Sequence, residues 1–180
     1  FGLIWSYDEK RFNSPNDLTL RSDGAIYFTD PPYGISKDQE ELGFSGIYLW
    51  TMQDELFLLD KSFSRPNGIA LSPDETTLYV TETPSKSIYA YDVYHNEVKN
   101  RRVLAVMDGE GGGADGMKVD KNGFLYVTGP GGVWVFSPVG KKISLIEIPG
   151  QVTNCAFGGD DGDELYVTTA EALYRVSNGN

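Results

Sequence analysis

The chain has 180 residues, 40% hydrophobic and 23% charged, a composition that folds rather than stays disordered. Its net charge of −11 argues against a nucleic-acid partner, and the lack of any run of 18 apolar residues argues against a membrane-spanning helix. The single cysteine, Cys155, excludes an internal disulfide and a CxxC zinc site.

In chain order, Phe1-Gly2-Leu3-Ile4-Trp5-Ser6-Tyr7 reads as a strand from the middle of a larger unit. A pattern then begins that occurs four times. Its first copy is Pro15-Asn16-Asp17, the short strand Leu18-Thr19-Leu20, the turn Ser22-Asp23-Gly24 and the strand Ile26-Tyr27-Phe28-Thr29-Asp30. Ser36 to Gly43 carries no repeat hallmark and reads as an irregular insertion. The second copy runs Pro66-Asn67-Gly68, Ile69-Ala70-Leu71, Ser72-Pro73-Asp74, Leu78-Tyr79-Val80-Thr81-Glu82. Lys86 to Arg102 follows as an outer hairpin, with the only histidine, His95, at its tip. The third copy is Ala114-Asp115-Gly116, Met117-Lys118-Val119, Lys121-Asn122-Gly123, Leu125-Tyr126-Val127-Thr128-Gly129. The fourth is Thr153-Asn154-Cys155, Ala156-Phe157-Gly158, Asp160-Asp161-Gly162, Leu165-Tyr166-Val167-Thr168-Thr169, and Ala172 to Val176 reads as a third strand.

An amide or carboxylate leads each copy, at positions 16, 67, 115 and 154, and a tyrosine follows after 11, 12, 11 and 12 residues. The leads are 51, 48 and 39 residues apart, the period of a β-propeller blade. The fold expected is all-β, a six-bladed β-propeller of which this chain supplies about four blades, as one domain over residues 1–180. An open ring would leave sheet edges bare, and the first residue is Phe1 rather than Met, so the missing blades are expected mostly upstream.

The first strand of a blade lines the central channel, so Asn16, Asn67, Asp115 and Asn154 are expected to converge near one mouth. Oxygen donors meeting at a point suit a hard divalent cation, calcium first, with zinc, magnesium and manganese also open. A lone Asn-Gly or Asp-Gly is ordinarily a turn. Repetition alone would explain a turn, but not an oxygen-bearing side chain at the lead every time. Cys155, among apolar neighbours, reads as a buried thiol, and His95 on a rim is poorly placed for a Ser–His pair. Tyr33 and Trp134 could stack on a sugar, although propeller aromatics are more often core.

These segments resemble the gluconolactonase, regucalcin and luciferin-regenerating enzyme family over nearly the whole chain. Asn13-Ser14-Pro15-Asn16-Asp17 with Ile26 to Gly34, Arg65 to Asp74, and Thr153 to Gly159 carry the resemblance, the first in its bacterial gluconolactonase version. The resemblance implies a six-bladed propeller that opens sugar lactones with a divalent metal in its channel. It implies Asn67 and Asp115 as metal ligands, Asp115 also as catalytic base, and Asn16 as a residue facing substrate. The family's remaining ligand is a glutamate near the N-terminus of the full protein. It has no match here, so these 180 residues carry the site one ligand short. Animal members have an arginine where this chain has Ser14, so their sugar-acid preference does not transfer.

Lactone hydrolysis needs a stabilised oxyanion and a proton acceptor. Asp115 is the one charged lead residue and takes the acceptor's role, while Asn16 and Asn154 are assigned to substrate. A non-catalytic ligand-binding propeller and a calcium-binding regulatory protein are the alternatives. The partner expected is a small sugar lactone, with no nucleic acid and no membrane. A soluble location, in cytoplasm or periplasm, is expected.

Overall fold

The computed structural model describes residues 2–176. A hairpin of two short strands, β1 (Ser6–Tyr7) and β2 (Lys10–Arg11), comes first. Four antiparallel sheets follow in chain order. The first is β3 (Leu18–Leu20), β4 (Ile26–Asp30), β5 (Gly46–Trp50) and β6 (Leu56–Asp60). The second is β7 (Pro66–Leu71), β8 (Thr77–Glu82), β9 (Ser87–Tyr94) and β10 (Glu97–Val106). The third is β11 (Met117–Val119), β12 (Leu125–Gly129), β13 (Gly132–Phe136) and β14 (Lys142–Glu147). The last has three strands, β15 (Val152–Gly158), β16 (Glu164–Thr169) and β17 (Leu173–Val176). These are propeller blades, each a meander whose first strand lies innermost.

The repeat builds each blade by local chemistry. The first two strands are joined by a turn whose fourth residue is left-handed: Gly24, Glu75, Gly123 and Gly162, at φ 89°, 59°, 85° and 69°. In each turn that residue's N–H returns to the carbonyl three residues back, at 2.8–3.2 Å. The second strands are β-branched and aromatic and sit in the blade's middle, those of the second and third blades covered on both faces.

The core lies between blades rather than within them. Ile69 and Leu71 of β7 pack on Tyr27, Ile47 and Leu49 of the first blade. Met117 of β11 packs on Ala70, Tyr79 and Ile88 of the second. Cys155 and Val167 pack on Val133 of the third. Each such aliphatic side chain contributes about 1.5–3 kcal/mol by leaving water.

Some expectations change. Of the strand expected over 1–7, only Ser6–Tyr7 pairs, and Phe1 lies outside the described residues. Ile4, Tyr7 and Phe12 pack instead on the outward face of the first blade, with the Phe12 and Phe28 rings edge to face at 5.4 Å. The Ser36–Gly43 segment holds a single 3-10 turn, Lys37–Gln39. The outer hairpin is the second blade's own third and fourth strands, extending to Val106 because bulges let β10 keep its pairing. No helix among the described residues is long and apolar enough to cross a membrane.

Candidate functional site

Each lead residue sits where the inner strand is bulged. In the first blade the Asn16 N–H donates to the Thr29 carbonyl (2.9 Å) while the Thr29 N–H donates to the Asp17 carbonyl (3.1 Å). Two successive residues thus share one partner. Asp115 and Gly116 share Thr128 in the same way, at 3.0 and 2.9 Å. In the second blade the ladder skips from Pro66–Glu82 to Ile69–Val80, and in the fourth from Val152–Thr169 to Asn154–Thr168. A bulge re-aims one side chain out of the pleat.

A second device ties each later lead, or the residue just before it, to the blade before. The Thr29 hydroxyl donates to the Asn67 carbonyl (2.7 Å), that of Thr81 to the Asp115 carbonyl (2.7 Å), and that of Thr128 to the Thr153 carbonyl (3.1 Å). Gly68 and Gly116 permit the close approach this needs. A Cβ on Gly68 would collide with the Asp115 carbonyl, and one on Gly116 with the Asn154 amide. Neither glycine has a positive φ, so the Asn-Gly and Asp-Gly pairs are close-approach sites here, not left-handed turns.

Asn16, Asn67 and Asp115 come together. Asn16 Nδ2 donates to Asn67 Oδ1 at 2.6 Å. Asn67, buried, donates through Nδ2 to Thr83 Oγ1 (3.2 Å) and to the Tyr33 hydroxyl (3.4 Å), which themselves lie 2.6 Å apart. Burial pushes the Asp115 carboxyl up to about 6, the nearby Asn67 amide and Gly116 N–H dipoles pulling it down and the charge of Asp17 pushing it further up. A cavity of about 300 Å³ opens beside Asp115, walled by Thr83, Gly113 and Pro130. An apolar one of about 250 Å³ reaches Asn16 and Asp17 from the first blade's side, past Leu18, Phe28 and Trp50.

Asn154 is placed differently. Its Oδ1 accepts from the Cys155 N–H at 2.8 Å, and its side chain meets Asp17 rather than the other three leads. Asp17 is nine-tenths buried, with Oδ2 3.7 Å from Lys118 Nζ and without a hydrogen-bond partner. Burial raises its carboxyl and the charge of Lys118 opposes that. Burial likewise pushes the Cys155 thiol up to about 12, which suits a core residue and not a nucleophile. His95 is exposed at the β9–β10 tip, and Trp134 is core, while Tyr33 stands at the channel mouth.

The donors suit a hard cation: amide and carboxylate oxygens on adjacent blades, with no sulfur and no imidazole. Among the described residues no three His, Cys, Asp or Glu cluster as a metal cage. Among the described residues, a cation here would rest on the Asp115 carboxylate and neighbouring amides. The repeat threonines, Asp17 and Thr83 are not among the residues that the sequence singles out. The threonines were legible as the last residue shared by IYFT, LYVT, LYVT and LYVT. Asp17 was legible as the one acid directly after a lead, where the other copies have Gly68, Gly116 and Cys155.

Residues 2–171 match the family described as SMP-30/Gluconolactonase/LRE-like region. Over 97% of its length the chain is 40% identical to a gluconolactonase of Zymomonas mobilis, 53% of which it covers. It aligns with the solved structure of a gluconolactonase from Xanthomonas campestris at a TM-score of 0.88 and 35% identity, covering 96% of this chain and 59% of that one. It also aligns with a calcium-binding protein, regucalcin, from Agrobacterium tumefaciens at a TM-score of 0.73 and 28% identity, over 86% of this chain and 52% of that one. The chain spans about half the length of these relatives. It belongs to the SMP-30/gluconolactonase/LRE-like family.

Proposed function

We propose that this family member hydrolyses sugar lactones at its channel mouth, with Asp115 as the proton acceptor and Asn16 and Asn67 as neutral ligands. The observation that carries the reading is the place of Asp115. It is the one carboxylate among the lead residues, raised to about 6 by burial, beside Asn67 and a cavity wide enough for a sugar ring. Relatives named as gluconolactonases support the reaction class.

A lactone is a cyclic ester, opened when water adds to its carbonyl carbon and the ring oxygen leaves. A carboxyl that titrates near 6 is ionised at neutral pH, yet basic enough to take the proton that water sheds as it attacks. Asn16 and Asn67 do not titrate, so they can hold hydroxyl groups and orient the ring at any working pH. Asn67 is itself fixed by Thr83 and Tyr33, and Asp115 by Thr81, so the acceptor meets the reacting atoms in a set geometry. Asn67 and Asp115 would hold a divalent cation, calcium first, which would supply positive charge for the developing oxyanion.

The test uses the protein encoded by the complete reading frame. Gluconolactone opening is followed by pH-stat, corrected for the spontaneous rate, with and without chelator. Asp115→Asn keeps size and an oxygen but loses the charge and basicity, so kcat is expected to fall at least about 10²-fold. Circular dichroism should be unchanged. A wild-type protein with no chelator-sensitive turnover of any aldonolactone would favour a binding propeller. An Asp115→Asn variant as fast as wild type would remove the carboxylate from the mechanism.

A further inference from the structure

The chain has six arginines, and five are engaged. Arg11 faces Glu41, Arg21 faces Asp23, Arg101 faces Asp60, Arg102 faces Asp92 and Arg175 faces Glu164, all at 2.7–3.6 Å. Among the described residues Arg65 alone has a guanidinium with neither an ion pair nor a hydrogen bond. Its one side-chain interaction of note is with the Tyr33 ring, whose centroid lies 5.5 Å from its guanidinium carbon.

Its location makes this informative. Arg65 precedes Asn67 by two residues, and its main-chain carbonyl accepts the Thr83 N–H at 3.2 Å. Thr83 Oγ1 and the Tyr33 hydroxyl are the two groups that receive the Asn67 amide. Arg65 is therefore an exposed, unpaired cation on the lip of the candidate site, lying over the tyrosine that helps fix Asn67. The chain carries a net charge of −11, and Asp115 and Asp17 lie nearby, so an anionic ligand would be repelled without a local cation. A guanidinium presents a planar fork of donors matched to carboxylate and phosphate.

We propose that Arg65, held over Tyr33, is a specificity-determining residue that receives an anionic group carried by the sugar. Among sugar lactones the site then favours those with a carboxylate or phosphate at the end remote from the ester. This rests on the lactone-hydrolase reading above for the reaction, but not for the binding.

Three cyclic sugars that cannot be hydrolysed separate the two. Glucose, glucuronate and glucose 6-phosphate differ only at the sixth carbon, which is neutral, a carboxylate or a phosphate. Calorimetry on the protein from the complete reading frame should show tighter binding of at least one anionic sugar than of glucose. Arg65→Met keeps most of the stem and should weaken that binding at least about 10-fold, the loss of one charge-assisted contact. Arg65→Lys should recover part of it, and glucose binding should move less than about 2-fold. The anion that responds identifies the group. Equal binding of all three sugars, no binding of any, or an Arg65→Met variant that binds the anions as wild type does would overturn the proposal. An Arg65-dependent anion preference in a protein with no lactone turnover would leave the subsite standing and remove the hydrolase reading. Turnover of gluconolactone without anion preference would do the reverse.

Discussion

Leu71 and Leu20 hold the same place in the repeat, four residues after the lead, yet Leu71 is 9% exposed and Leu20 62%. Thr81 and Thr168 are likewise equivalent. Thr81 is fully buried between the second and third blades, while Thr168 is exposed on the outward face of the last. The Thr81 hydroxyl accepts the Gly68 N–H (2.7 Å) and donates to the Asp115 carbonyl across the junction. The Thr168 hydroxyl works inside its own blade, accepting the Asn154 N–H (3.1 Å) and meeting Thr153 Oγ1 at 2.8 Å. The repeat thus encodes a blade, but the energy of most of its residues depends on the blade beside it. The candidate site draws on junctions of the first kind.

The largest contrast should come from the two leucines, because the side chain deleted is the same. Leu71→Ala removes buried methyl groups and leaves a void, costing about 2–3 kcal/mol. Among the described residues no blade covers Leu20, so in the 180-residue chain Leu20→Ala removes groups already in water and should cost about 0.5 kcal/mol or less. Urea midpoints at unchanged m-value decide this, and equal losses would mean that Leu20 is covered in solution.

Thr81→Val and Thr168→Val should differ next. Valine fits the Thr81 space but leaves the Asp115 carbonyl without its hydroxyl donor in a buried place. The Gly68 N–H keeps a second route to that carbonyl at 3.2 Å, so the cost expected is about 2 kcal/mol rather than the sum of two lost bonds. Thr168→Val should stay within about 0.5 kcal/mol. Similar values for both would show that the inter-blade bond contributes nothing.

Blade boundaries, turn residues and the convergence of Asn16, Asn67 and Asp115 were legible because each follows from the repeat's own period and chemistry. The bulges were not, since one extra residue in a strand leaves no mark in composition. The role of Gly68 was hidden for a similar reason: Asn-Gly is written the same whether glycine serves a left-handed φ or a close approach. Asn154 lies near Asp17, 137 residues away in the chain, and no local pattern reports that. Arg65 reads as one more charged residue until the partners of the other five arginines are known.

A pH series extends the comparison to two acids. Asp30 is fully buried, accepting N–H bonds from Asn13 (2.9 Å) and Ser14 (2.7 Å), and burial still pushes its carboxyl up to about 6. Its native form thus holds a proton more tightly than the unfolded chain does, at 3.8. The stability this lends is full below pH 3.8 and lost as pH rises through about 6. Asp92, on an outer strand, is held low by Asn100 and Arg102, so its contribution is present above the ordinary carboxylate range and lost on acidification. Asp30→Asn should therefore flatten the fall in urea midpoint between pH 4.5 and 7, about the range where its proton leaves. Asp92→Asn should change only the acid side. A midpoint that rises through that range in wild type and not in Asp30→Asn would reverse the sign assigned to Asp30.

The smallest effect separates two opposing terms at one junction. In the turn between inner strands, Gly24, Gly123 and Gly162 occupy the left-handed position, and Glu75 is the exception at φ 59°. A residue with a Cβ there costs about 1 kcal/mol relative to glycine. Glu75 offsets this across the first junction, where its carboxylate accepts the Ser22 N–H (2.6 Å) and hydroxyl (2.8 Å). Glu75→Ala keeps the backbone cost and loses both bonds, so it should destabilise by about 1 kcal/mol. Glu75→Gly loses the bonds but also the backbone cost, and should lie within about 0.5 kcal/mol of wild type. The order expected in urea is therefore wild type and Glu75→Gly together, with Glu75→Ala below them. If alanine and glycine lose the same amount, the left-handed φ carries no cost. If neither loses anything, the Ser22 bonds add nothing to the first junction, and the glutamate is a surface residue that happens to reach across it.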